Sequence, residues 1–214
     1  MTPEPFAHAS TSPSRSVPAE RHRMASRQEI DRIEQDVLYR RSVERYLLAR
    51  QYAHGTVLDC ACGSGYGSYL MAKNPDVGHV HGYDRDPDVI EPARLHLGSE
   101  RVSFWQADLE EVDRPADLLV CLETIEHLDD PMAVSRLADR CGVHEIVVSF
   151  PTKKTTHYNP HHRWDLVEQD VRDILSGFHV HHSHHLFQDT RMMWLARGRG
   201  RAESPPTRWG PPFS

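Results

Sequence analysis

The run Val57-Leu58-Asp59-Cys60-Ala61-Cys62-Gly63-Ser64-Gly65-Tyr66-Gly67 constrains this chain more than any other segment. An apolar stretch that ends in an acid and then in alternating glycines reads as a strand turning sharply into a helix, with the backbone free to pass close to a ligand. A dinucleotide-binding turn uses the same physics at a different spacing. Here Gly63, Gly65 and Gly67 fall as G-x-G-x-G rather than G-x-G-x-x-G, and Asp59 places a carboxylate where a pyrophosphate would be repelled. A ligand with positive charge suits that acid better.

Around this turn, strand-like and helix-like segments alternate. Strands are expected at 56–60, 79–84, 101–106, 117–122 and 145–150, and helices at about 66–73, 87–97, 131–140 and 166–176. Such alternation predicts right-handed crossovers in a parallel, doubly wound α/β sheet. The end of the chain differs. The strand-like runs Phe178–Phe187 and Thr190–Ala196 are separated only by Gln188 and Asp189, too few residues for a helical crossover, so they predict an antiparallel hairpin. The expected fold is a seven-stranded, mostly parallel sheet with an antiparallel last strand.

Ahead of the first strand, Ile30, Ile33, Val37, Leu38, Val43, Tyr46, Leu47 and Leu48 recur at helical spacing and predict a helical cap over 24–52. The expected domain runs from 53 to 197. Residues 1–23, rich in Pro, Ser, Thr and Ala, offer too little apolar surface to offset their ordering entropy and read as a disordered tail. Residues 198–214 lose periodicity and read as a flexible one.

Length and charge narrow the function. A chain of 214 residues with 38% hydrophobic content suits one domain with a full core. A net charge of −6 leaves no broad cationic surface, which disfavours nucleic acid and a polybasic membrane anchor. No run approaches the ~18 apolar residues of a membrane span. Cys60, Cys62, Cys121 and Cys141 form no C-x-x-C pair and fit reduced thiols in a cytoplasmic protein.

The segment Asp59–Gly67 resembles motif I of the class I S-adenosylmethionine-dependent methyltransferases, in which an acid-x-G-x-G-x-G loop holds the methionine end of the cofactor. Ala61 stands where the first glycine is usual. The resemblance implies a Rossmann-like methyltransferase fold and S-adenosyl-L-methionine held by Asp59, Ala61, Gly63, Gly65 and Tyr66. Gly82-Tyr83-Asp84 closes the second strand and places Asp84, with Arg85 beside it, to accept both ribose hydroxyls. Asp86 and Pro87 read instead as a helix N-cap and first helical position. Asp108, followed by Leu109, is implied to accept from the adenine amino group. Acids closing three successive parallel strands meet at one edge of the sheet, where such folds bind ligands.

The fourth strand, Asp117–Leu122, leads into Glu123-Thr124-Ile125-Glu126-His127. Glu123, Glu126 and His127 are the expected catalytic residues. At i, i+3 and i+4 they share a face if the segment makes one helical turn, forming a half-site for a divalent metal. The long polar stretch 151–165 adds His162 as fourth ligand, with His161 as substitute. The pattern E-x-x-E-H with a later histidine resembles that of metal-assisted O-methyltransferases, those of small-RNA 3′ ends and of ubiquinone biosynthesis, and implies Mg, Mn or Zn. Coordination would lower the pKa of an alcohol nucleophile. The alternative is His127 as general base without metal. The expected reaction is O-methylation of a small metabolite or sugar. Its rivals are RNA 3′-end 2′-O-methylation and a non-catalytic cofactor-binding interaction module. The histidines of 179–185 alternate between the faces of a strand and read as a strand with a solvated face rather than a metal site.

Overall fold

The computed structural model describes residues 26–198. Helix α1 (Arg27–Ala49) precedes β1 (Gly55–Cys60), α2 (Tyr66–Met71), β2 (Val77–Asp84), α3 (Pro87–Leu97) and β3 (Val102–Gln106). A 3-10 turn, Leu109–Glu111, then leads to β4 (Leu118–Leu122), followed by a second at Ile125–His127. The chain continues through α4 (Ala133–Arg140), β5 (Glu145–Pro151), α5 (Glu168–Ile174), β6 (His179–Leu186) and β7 (Thr190–Ala196). The expected tails, 1–23 and 198–214, lie outside the described residues apart from Gly198.

The strands form one seven-stranded sheet in the order β3-β2-β1-β4-β5-β7-β6. The first five pair in parallel, and β7 is antiparallel to both β5 and β6. Strand order reverses between β1 and β4, which opens a crevice at their carboxyl ends. Since β6 runs with β5, the β6–β7 turn comes to that same edge.

Burial follows from position in the sheet. All five residues of β4 are buried, because a central strand covered on both faces must be apolar throughout. Along β1 and β4 alternate residues serve opposite layers: Leu58 and Leu119 pack with Ile146, Phe150 and Leu175, whereas Val57 and Leu118 pack with Val80, Phe104 and Val147. The histidines of β6 are mostly exposed, as a sheet-edge strand allows. Among the described residues no helix is long and apolar enough to cross a membrane.

The chain divides into two compact units between Asp36 and Val37, and the second part of α1 belongs with the sheet. Its apolar face is used less than the spacing suggests. Val37 and Leu38 remain about half exposed, and Tyr46 and Ala49 are its buried residues. Tyr46 explains why this part of the helix is held. Its hydroxyl donates to Asp59 Oδ1 at 3.1 Å, and the Ser68 hydroxyl donates to Oδ2 at 2.6 Å. The tyrosine ring lies so close to Gly67 that an added Cβ would sit 2.2 Å from it. Glycine there answers a close approach of helix to ring.

Asp59 has no exposed surface, and burial pushes its carboxyl up to about 7 against the pull of the two hydroxyl donors. Between about pH 4 and pH 7 the native protein keeps a proton that the unfolded chain has released. The stability this gives is complete at the acid end and is lost as pH rises through the folded pKa. Tyr46→Phe removes a donor to the ionised form. The variant is expected to unfold at lower denaturant than the parent, with a wider gap at pH 8 than at pH 5, by urea titration.

Candidate active site

Where β1 ends, the backbone takes left-handed values at Ala61 (φ 56°), Gly63 (φ 54°) and Gly65 (φ 79°). The two glycines serve different needs. An added Cβ at Gly65 would lie 2.5 Å from the Phe104 ring, so that position is closed from within. At Gly63 an added Cβ would meet nothing within 4 Å among the described residues, which leaves an open approach for a ligand. The loop is strapped to the end of β2: Cys62 N–H donates to the Tyr83 carbonyl at 2.9 Å and Gly63 N–H to Asp84 Oδ2 at 2.9 Å. Asp84 is half-buried, and its Oδ1 accepts from Asp86 N–H at 3.0 Å. Each carboxylate oxygen has two lone pairs, so both retain capacity for a ribose hydroxyl.

The other expected contacts are distributed unequally. Asp86 caps α3 through Asp88 N–H, with Pro87 following. Tyr66 is half-buried beside Tyr39 and Tyr46, with ring centroids 5.3 and 5.6 Å away. Arg85 is exposed, and Leu109 packs against the core. Asp108 is an exposed cap of the first 3-10 turn, accepting from Glu110 N–H while its own N–H donates to Glu111. Asp59 requires a correction. Its carboxyl is sealed from solvent with a hydroxyl donor on each oxygen, so it braces the loop from beneath and does not present itself to a ligand.

Glu123 follows β4 directly, in a left-handed conformation (φ 48°) that side chains rarely adopt. The Ser149 hydroxyl on β5 donates to Glu123 Oε1 at 2.7 Å, and Glu123 N–H donates to the Ser149 carbonyl at 3.0 Å. Arg45 Nη1 on α1 stands 3.8 Å from Oε2, its side chain only 13% exposed. Burial raises the Glu123 carboxyl, with Arg45 and Ser149 acting against it.

Glu126 is the anomaly. It is 1% exposed, and neither carboxylate oxygen has a hydrogen-bond partner among the described residues. Burial first, and then the charge of Glu123, push it up to about 8. His127 Nε2 lies 4.0 Å from Glu126 Oε1. The other ring nitrogen, Nδ1, is 2.9 Å from the His161 carbonyl. A carbonyl can only accept, so Nδ1 carries the proton and a neutral His127 keeps its Nε2 lone pair free. His162 stands with its ring 4.5 Å from that of His127, and its Nδ1 meets the Thr155 hydroxyl at 2.6 Å.

Potential ligand atoms of Glu126, His127 and His162 all lie within 4.8 Å of one another, the one such group of three or more among the described residues. Three of the four expected metal ligands are therefore brought together, and Glu123 is not. The expected helical turn exists only as the 3-10 turn Ile125–His127, and the left-handed step before it turns Glu123 toward Ser149 instead. His161 contributes its carbonyl, while its exposed side chain lies outside the group. On β6, Tyr52 occupies His184 Nε2 at 2.7 Å. Arg45, Ser149 and Thr155 escaped the sequence reading, because an isolated arginine, serine or threonine carries no spacing signal.

Ala61 offers a direct test of the loop. A left-handed alanine is strained by ~1–2 kcal/mol that glycine does not feel, partly offset by glycine's greater unfolded-state freedom. Ala61→Gly is expected to raise Tm by about 2–4 °C in calorimetry.

Comparison with known proteins shows the family and the fold. A family model described as a methyltransferase domain matches residues 52–159. The ubiquinone biosynthesis O-methyltransferase of Xylella fastidiosa is 36% identical over 93 residues, 40% of this chain and 35% of that protein. The Hydrogenovibrio crunogenus protein of the same name is 28% identical over 151 residues, 68% of this chain and 61% of its own. The chain thus spans about a third of the first curated relatives' length. Among solved structures, magnesium protoporphyrin IX methyltransferase from Synechocystis, with bound S-adenosylmethionine, aligns at TM-score 0.57 and 24% identity, covering 73% of this chain and 77% of that one. The N-methyltransferase NodS of Bradyrhizobium japonicum, with S-adenosylhomocysteine, aligns at TM-score 0.58 and 17% identity, covering 74% and 88%. With the matching model covering half its length, the chain belongs to the methyltransferase domain family and shares the fold of these solved methyltransferases.

Proposed function

We propose that this methyltransferase transfers a methyl group to an oxygen of a small-molecule acceptor, with a divalent metal held by Glu126, His127 and His162. The observation that carries the metal is Glu126, a fully buried carboxyl with two unpartnered oxygens. A buried acid in that position either keeps a proton or meets a cation, and two imidazoles beside it are ligands of the right kind. The names of the curated relatives support oxygen as the methylated atom and a small molecule as the acceptor. The acidic composition supports that over RNA.

S-adenosylmethionine supplies an electrophilic methyl when bound, and a divalent ion supplies acidity to a coordinated hydroxyl. The protein's share is placement. Gly63 and Asp84 hold the cofactor side, the group at Glu126 holds the acceptor oxygen, and the switch point brings the two sides together. Arg45 keeps positive charge beside Glu123. A metal-free reading has one observation in its favour: His127 is fixed through Nδ1 with Nε2 near Glu126, the arrangement of a general base.

Two substitutions separate these statements. Asp84→Ala removes the expected ribose acceptor and should weaken S-adenosylhomocysteine binding at least ~100-fold by calorimetry, since two charge-assisted hydrogen bonds are lost. Retained affinity would remove Asp84 from the cofactor site. Glu126→Gln should abolish Mg, Mn and Zn binding at this site and O-methylation while leaving cofactor affinity intact. In chelator at pH 8 it should also be more stable than the parent, because the parent loses stability as pH rises through the raised pKa of Glu126. Metal binding equal to the parent's would leave the metal-free reading.

A further inference from the structure

His162 stands on the long connection between β5 and α5, the kind of segment that usually holds a side chain loosely. Here the connection is tied at several points. At its base, Asp165 Oδ1 accepts from the backbone N–H of Thr155 at 2.7 Å and of Thr156 at 3.0 Å, and Oδ2 accepts from the Thr156 hydroxyl at 2.7 Å. Within it, Asn159 N–H donates to the Thr155 carbonyl and His162 N–H to the Asn159 carbonyl. Beyond His162, Arg163 N–H donates to the Glu126 carbonyl at 2.8 Å and Trp164 Nε1–H to the Leu128 carbonyl at 2.8 Å. The segment is thereby bolted to the turn that carries Glu126 and His127.

The hydroxyl of Thr155 lies inside this frame. The residue is 6% exposed, and its Oγ1 meets His162 Nδ1 at 2.6 Å. One ring nitrogen is thus occupied by a protein oxygen, leaving Nε2 as the other. His127 is held in the same way, by a carbonyl on Nδ1. A histidine that binds a metal through one nitrogen characteristically donates the other N–H to an oxygen, which sets its tautomer and the angle of its ring. Two adjacent imidazoles share that arrangement, and the oxygen serving one of them is a side chain that can be removed.

We propose that Thr155 is a positioning residue for His162, its hydroxyl accepting from Nδ1–H and holding Nε2 available to a divalent cation. The proposal rests on the metal reading above. The test uses chelator-treated full-length protein titrated with Mn(II), followed by its electron paramagnetic resonance, and with Co(II), followed by its visible ligand-field bands. Glu126→Gln serves as the blank for metal caught by the exposed histidines of β6. Wild type with no binding above that blank overturns the metal reading, and the role of Thr155 with it. Given wild-type binding, Thr155→Val should weaken it ~10–100-fold and alter the Co(II) bands. Thr155→Ser, which restores a hydroxyl, should recover both, with S-adenosylhomocysteine affinity unchanged throughout. Thr155→Val binding both metals like wild type overturns the positioning role and leaves the metal site standing. If the valine variant loses its S-adenosylhomocysteine affinity, Thr155→Ala decides by the same comparison.

Discussion

A single carboxyl group, that of Asp59, joins the three segments that meet beneath the glycine loop. It belongs to β1, its oxygens are held by Ser68 of α2 and Tyr46 of α1, and nothing of it reaches solvent. Buried acids are tolerated when they are bonded, and this one is bonded to two elements that must be placed correctly for the intervening loop to take its left-handed steps. The acid of motif I therefore acts here through architecture. It draws helix and strand together beneath the turn, and the turn offers Gly63 to the outside.

On the opposite side of the switch point the balance is different. Glu126 is buried and Glu123 partly so; burial raises both carboxyls, and the charge of Glu123 raises Glu126 further. Glu123 is compensated by Ser149 and Arg45, whereas Glu126 has no hydrogen-bond partner among the described residues. A fold retains an uncompensated buried acid against its own stability, and such exceptions concentrate at functional sites. The strained backbone at Glu123 marks the same region.

Much of this was legible in the residues. Turn signals and apolar spacing located every strand, and the two-residue gap at Gln188 and Asp189 announced the antiparallel end. The ends of β1 and β2, and the pair of imidazoles near Glu126, were also readable, because each depends on a short local pattern. What escaped depended on direction. Letters place Asp59 at a strand end but do not say that it points inward, and they place Glu123 three residues from Glu126 without revealing the left-handed step that separates them. The apolar spacing of α1 suggested a broadly buried face, yet the sheet unit buries little more than Tyr46 and Ala49 of it. Arg45 and Thr155 reach the site from distant segments, and only tertiary structure can show that.

The place of Arg45 and Tyr46 bears on where this domain begins. The family match starts at residue 52, after both. Yet Tyr46 supplies one of the two hydrogen bonds to the acid under the glycine loop, and Arg45 is the counter-charge to Glu123. The last turns of α1 are therefore a working part of the crevice. A boundary drawn by similarity alone would leave Asp59 with one bare oxygen and Glu123 without its arginine, so a minimal folded fragment of this protein has to begin upstream of α1's contacts rather than at the first strand.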